Sequence, residues 1–388
     1  MSYTDEQIQF ILGKKKEGKT YKEIAQTFKV EFEVNKTPNA IRHICRNYTD
    51  FDFSEDTMVK NIRSAHTARR SRSKVAKENR AILDYLDQRD ELVDELKNIV
   101  KEVKAQKIRV PKKKKDTKKD NMKLEVMLSD LHYGKKTDTF NFEVAQQRMD
   151  KMANVVLDEI DRYSKTYNVE EVITFLGGDI IEGATIHGTE SRIGSEASNA
   201  VQIAQATMSL FKDYVVPMVS SGCKLTFICI GGNHDRDGKD KTFQNPGEEH
   251  FTHTIYTLLE FMCKNNGFDV EFVIPKGAYH VHKIYDSFVC YEHGDFIKGN
   301  TRTSFESHLA KRSAQFGTII DFLRIGHLHE RMEFGRGKII INPSLPGQDS
   351  YSEINGYNSE AAQTINYYVE TDNRPTPFYH SFAVYLGD

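Results

Sequence analysis

At 388 residues the chain is long for one compact domain, which typically holds ~100–200, so one large domain with a small appendage is expected. Hydrophobic residues make up 38% and charged residues 28%, enough apolar matter for a core, while no run approaches the ~20 apolar residues of a membrane helix. The net charge of −2 hides an asymmetry: residues 1–120 carry 29 Lys and Arg against 20 Asp and Glu, and residues 121–388 carry 25 against 36. A basic part can meet a polyanion and an acidic part can gather cations, although basic residues also serve simply to keep a linker soluble. The opening Met-Ser-Tyr-Thr-Asp-Glu lacks a secretory pattern, and five scattered cysteines without metal-type pairing read as reduced thiols of a cytoplasmic protein.

Residues 1–50 read as a helical module. Thr4 caps a helix with an apolar face of Ile8, Ile11 and Leu12, and Thr20 to Glu23 forms a capping box ahead of Ile24, Ala25 and Phe28. Thr37-Pro38 opens a third helix that turns Ile41, Ile44 and Tyr48 inward and Asn39, Arg42, His43 and Arg46 outward. The segment resembles helix-turn-helix domains of the homeodomain-like or resolvase type. That implies DNA contact through the outward face, where arginine and asparagine can read guanine and adenine edges. One departure is the second connection, residues 29–36, longer than the usual turn of about 3–4 residues. A small protein-interaction bundle is the other reading.

Residues 51–120 form a charged helical linker. Ile82, Leu86, Val93, Leu96, Val100 and Val103 fall near a heptad seam, a possible homodimer contact through residues 80–104 or a face packed on the enzyme itself. The run Pro111 to Lys115, followed by Lys118 and Lys119, reads as an exposed tether.

From residue 121 onward apolar strands alternate with helices. Strands are predicted at Leu124–Leu128, Val172–Leu176, Leu225–Ile230, Val270–Ile274, 279–291, Ile319–Ile325, Lys338–Ile341 and 377–386, and helices over 143–164, 197–220 and 247–265. The pattern indicates a layered α/β domain. Polar clusters follow the strands: Ser129-Asp130-Leu131-His132, Gly177-Gly178-Asp179 with Glu182, Gly231-Gly232-Asn233-His234-Asp235, Glu292-His293-Gly294, and Gly326-His327-Leu328-His329. Strand carboxyl ends line the crevice of α/β sheets, so the clusters can converge. Mixed carboxylate, amide and imidazole ligation suits Mn²⁺ first, with Fe or Zn²⁺ also compatible. Two such ions ~3.5–4 Å apart can clamp a phosphoryl group and lower the pKa of water towards ~7.

In this order, D-x-H, G-D, G-N-H-D, H-G and G-H-x-H, the motifs resemble those of the calcineurin-like metallophosphoesterases across about residues 123–345. The resemblance implies a β-sandwich flanked by helices, a four-layer α/β/β/α fold. It places one divalent metal ion on Asp130, His132, Asp179 and His329. A second would share Asp179 and take Asn233, His293 and His327. His234 would protonate the leaving oxygen, with Glu182 orienting it. His280 and His282 read as packing residues on a strand. His187 and Arg192, in the Gly-rich loop after Glu182, can reach the site for a substrate role, with a surface loop as the other reading.

Joined to the basic arm, such a domain reads as a DNA nuclease, with the DNA-repair branch (SbcD type) the nearest analogy. Glu182 stands where that branch tends to carry histidine, and the N-terminal module is no part of its plan. A phosphatase or small-molecule phosphodiesterase with a regulatory module is the rival. A DNA-binding scaffold with an inactive metal site is the third reading.

Overall fold

The computed structural model describes residues 3–48, 110–111, 115–184, 194–236, 249–348, 360–370 and 376–387. The heptad-like segment 80–104, His187 and Arg192 lie outside these residues. The chain divides into two compact units, Met1–Asp84 and Tyr85–Asp388, each with its own core.

The first unit holds helices α1 (Asp5–Lys16), α2 (Tyr21–Phe32) and α3 (Pro38–Tyr48). Thr4 with Gln7 and Thr20 with Glu23 make reciprocal capping boxes, each satisfying orphan amides of a first turn. Ile8, Ile11, Ile24, Ala25, Phe28, Ile41, Ile44 and Cys45 form one buried cluster. Phe28 sits at its centre, with the rings of Tyr3, Phe10 and Phe32 4.8–6.2 Å away. The connection before α3 is shorter than the sequence suggested. Helix α2 runs on to Phe32, stops at Glu33 in left-handed geometry, and leaves only residues 33–37. Phe28 and Phe32, four residues apart on one face, are what hold that last turn in the helix.

The second unit contains two stacked sheets. Strands β1 (Asn121–Leu128), β2 (Asn168–Leu176), β3 (Lys224–Cys229) and β4 (Val270–Val273) run parallel, and β10 (Ala362–Val369) and β11 (Phe378–Tyr385) extend that sheet antiparallel beyond β1. The second sheet has the order β5-β6-β7-β9-β8, with β5 (Tyr279–Ile284), β6 (Ser287–Glu292), β7 (Phe322–Ile325), β8 (Met332–Phe334) and β9 (Ile339–Ile341).

Alternation along each strand assigns its faces. Leu124, Val126 and Leu128 join an outer core with Met149, Met152 and Val156 of α4 (Phe142–Ser164), whereas Met127 joins Phe175, Ile228, Tyr291 and Ile340 between the sheets. On the far side Cys290, Leu323 and Ile339 pack against Phe305 and Leu309 of α8 (Arg302–Phe316). The layers are therefore helix, sheet, sheet, helix, as the motif resemblance implied.

Several elements differ from expectation. The span 279–291 is two strands, β5 and β6, turned back at Tyr285, whose φ is 51°. The helix expected over 197–220 is α5 (Asn199–Ser209), a π-helical stretch Leu210–Val215, and α6 (Val216–Ser220) with Pro217 in its first turn. Described residues of the next helix, α7, span Phe251–Asn265. Strands β8 and β10 and helix α8 were not expected at all. No described helix is long and apolar enough to cross a membrane.

Candidate metal centre

The parallel strands of the first sheet end together, and their backbones stay paired past the strand ends. Asp130 N donates to Gly178 O and His132 N to Asp179 O, each at 3.0 Å, so the turns after β1 and β2 are locked side by side. Among the described residues, eight non-glycine positions have left-handed φ, and five are site residues: Asp130 (54°), His132 (47°), Asp179 (50°), His327 (69°) and His329 (57°). Such geometry costs on the order of 1–3 kcal/mol per residue and persists only where the surroundings enforce it. Close approach does the enforcing. A Cβ on Gly326 would collide with the Asp130 carboxylate, and one on Gly232 with the Asp179 carboxylate. Glycine at both positions lets the turns reach their neighbours.

Among the described residues, three groups of side chains have donor atoms within 4.8 Å of one another: Asp130, His132 and His329; Asp179, His293 and His327; and His132, Glu182 and His234, where the Glu182 carboxylate approaches both histidines. His132 Nε2 is 3.1 Å from His329 Nε2, and His329 Nε2 is 3.4 Å from Asp130 Oδ1. His293 Nε2 is 3.2 Å from both Asp179 Oδ2 and Asn233 Oδ1. Asn233 thus stands with the second group. Asp179 faces that group too, and its Oδ1 accepts the His234 amide at 2.7 Å.

Tautomers follow from the outer partners. His293 Nδ1 faces the Gly177 carbonyl at 2.8 Å, an oxygen that can only accept, so this nitrogen carries the hydrogen. Burial opposes the charge, but without a cation Asp179 raises this imidazole well above its usual range and Nε2 donates towards it, whereas a cation in place of that proton would meet the Nε2 lone pair. His132 Nδ1 lies 2.8 Å from Glu182 Oε2, which likewise directs its lone pair to Nε2 and His329. Inward-facing acceptors on both groups are a donor set that a cation fits, and outer oxygens orienting the ligand imidazoles are the usual accompaniment.

No family model and no curated protein matches the chain. Solved structures do. Wild-type Vps29 complexed with Zn²⁺ from Entamoeba histolytica aligns at 13% identity over 68% of this chain and 99% of that one, with a TM-score of 0.27. A conserved uncharacterised protein from Streptococcus pneumoniae, described as a predicted phosphoesterase, aligns at 13% identity over 68% and 98%, TM-score 0.26. A putative 5′-nucleotidase from Staphylococcus aureus aligns at 12% over 69% and 55%, TM-score 0.29. Likeness at this level says nothing of activity, and the chemistry is read from the side chains.

Burial works against every charge here, and the partners decide the outcome. Asp179, though desolvated, is held well below the usual carboxylate range by His293 and His234. Burial depresses His132 and His327 to about 4. It also pulls on His234, but Asp179 and Glu182 outweigh it and raise that imidazole. Burial would likewise raise Glu182, yet His132 brings it down to about 2.

Glu182 faces two histidines. Its carboxylate sits 2.8 Å from His132 but 3.9 Å from His234. His234 Nδ1 instead meets the Glu182 main-chain carbonyl at 2.7 Å. Glu182 thus meets His234 closely through its carbonyl and more distantly through its carboxylate, because the turn after β2 brings the carbonyl to His234 and aims the side chain at His132. Sequence reasoning also left Asp235 without a role. Its carboxylate accepts the amides of Asp179, Ile180, Ile181 and Gly232 at 2.6–3.2 Å and so clamps the turn carrying Asp179. Burial and Asp179 push it up to about 7, against the pull of those amides.

Far along the sequence, Asn39, Arg42, His43 and Arg46 all lie exposed along α3. Their spacing of three, four and seven residues puts them on one stripe. Arg42 also lies over the Tyr21 ring at 5.4 Å, and His43 Nε2 is 3.0 Å from the Asn47 amide.

Proposed function

We propose that the chain is a two-metal phosphodiesterase of the calcineurin-like kind acting on DNA. The carrying observation is the meeting of six Asp and His side chains in two adjacent ligand groups, with Asn233 beside one of them. Asp130, His132 and His329 would hold one ion, and Asp179, Asn233, His293 and His327 the other, with Asp179 the ligand that the motif resemblance also gives to the first. Once bound, two divalent ions supply positive charge for a phosphoryl group and acidify a water. Mn²⁺ is the first candidate.

The protein's own groups do the rest. His234 is fixed at Nδ1 by the Glu182 carbonyl, which leaves Nε2 to hand a proton to the departing oxygen. Glu182 positions His132 rather than acting on the substrate. The exposed stripe of α3 supports DNA as the substrate, because its two arginines and one asparagine are the side chains that pair with base edges in a major groove.

Cleavage assays with Mn²⁺ test this directly. Bis(p-nitrophenyl) phosphate, p-nitrophenyl phosphate, and single-stranded and duplex DNA are compared on the full chain. Hydrolysis of the diester and of DNA is expected. Activity confined to the monoester would replace the reading with a phosphatase, and two bound ions with no turnover would replace it with a scaffold.

A further inference from the structure

A cavity of about 220 Å³ adjoins His327. Gly294, Ile297 and Asn300 of the β6–α8 connection form one side, Phe305 of α8 the floor, and Ile325 and Leu328 the side next to His327. None of the lining residues is Asp, Glu, Lys or Arg. Gly294 on this rim has a φ of 119°, a backbone conformation that disfavours any side chain.

Size and lining decide what can enter. The volume is below the ~300–1,000 Å³ of sites for drug-sized ligands, so it suits one ring system rather than a whole nucleotide. With no cation in its walls the cavity offers nothing to a phosphate, whose place is on the ligand groups beside it. The lining is mixed: the Ile297, Phe305 and Leu328 side chains suit the faces of a flat heterocycle, and the Asn300 amide offers a donor and an acceptor to its edge. We propose that this cavity receives the nucleobase next to the scissile phosphate, with Ile297, Phe305 and Leu328 against the ring and Asn300 at its edge. The proposal rests on the phosphodiesterase reading. A base in the cavity has left its stack, so single-stranded or frayed DNA is the favoured substrate over an intact duplex.

The test measures binding and turnover separately, on the full chain loaded with Mn²⁺. Calorimetry compares thymidine 5′-monophosphate with methyl phosphate, and the nucleotide is expected to bind about tenfold more tightly, a modest value for base–aromatic stacking. Ile297→Trp, which fills the cavity, should abolish the preference. Asn300→Ala, an exposed position whose loss should spare the fold, should reduce it severalfold. Turnover of bis(p-nitrophenyl) phosphate is followed in parallel. Equal binding of the two phosphates, or a preference unchanged in both variants, would overturn the cavity assignment while diester turnover kept the phosphodiesterase reading standing. A preference that Ile297→Trp removes, without diester turnover, would support the cavity and overturn the hydrolytic reading alone.

Discussion

His234 and Glu182 occupy neighbouring positions with separable roles. His234 is held by a main-chain carbonyl and clusters with His132 and Glu182 rather than with the two groups proposed to hold the ions, so His234→Ala should retain metal while turnover drops ~10²–10⁴-fold. Metal analysis beside diester kinetics checks this, and loss of both ions in the variant would contradict it. Glu182→Gln should do the reverse. Its carboxylate orients His132, and removal of such an outer partner typically costs ~10–100-fold in metal affinity. Competition with a chelator would read that shift, which a dyad acting only on His234 would not produce. The turns whose Asp and His side chains converge were legible in the sequence because apolar strand, glycine and polar residue follow one another locally. Glu182 meeting His132 depends on two turns coming together, which no local pattern encodes.

The strands show how residue-level constraints become a fold. Glu125 of β1 and Arg324 of β7 are fully buried and paired at 2.8 Å between the sheets, with Tyr368 and Asn366 of β10 also bonded to Glu125. Breaking a buried pair from one side leaves an uncompensated charge, so Arg324→Met should cost ~3–5 kcal/mol in urea unfolding, and adding Glu125→Gln should recover part of it. This pair also explains why β10 was invisible in sequence. Its Gln363, Thr364 and Asn366 break the apolar run of a buried strand, yet all three are buried, Gln363 and Asn366 bonding inward with Ser129, Asn342 and Glu125. Helix α8 was missed for the opposite reason, since only Phe305 and Leu309 of it are buried. Strand β2 adds a pH-dependent link at this scale. Its Glu171, buried beside Lys123, Thr226 and Lys224, is drawn from 4.5 to about 2 because these partners outweigh its desolvation. A carboxylate depressed by folding contributes fully above its unfolded value and loses that contribution as pH falls towards the folded one. At most ~3 kcal/mol, reduced by solvent screening at the exposed Lys224, should therefore disappear between pH 4.5 and about 2. Urea melts across that window should flatten in Glu171→Gln, and an unchanged slope would contradict the assignment.

At the scale of the whole molecule, charge separates along the chain as chemistry does. The proposed metal ligands belong to the acidic part and the exposed arginines of α3 to the basic one. If α3 meets DNA, its contribution should be electrostatic in part and independent of hydrolysis. Removing one phosphate-neutralising side chain reduces the slope of log K against log salt by ~0.9 for duplex DNA. Arg42→Ala with Arg46→Ala should thus weaken DNA binding, lower that slope by up to ~2, and leave bis(p-nitrophenyl) phosphate turnover at the wild-type rate. Base contacts by the same arginines would show differently, as a loss of preference among duplex sequences with little change in slope. Binding titrations at several salt concentrations on two unrelated duplexes distinguish these outcomes. Unchanged affinity on both would return the three-helix unit to the role of a protein-interaction bundle, because a DNA-reading face cannot lose both exposed arginines without effect.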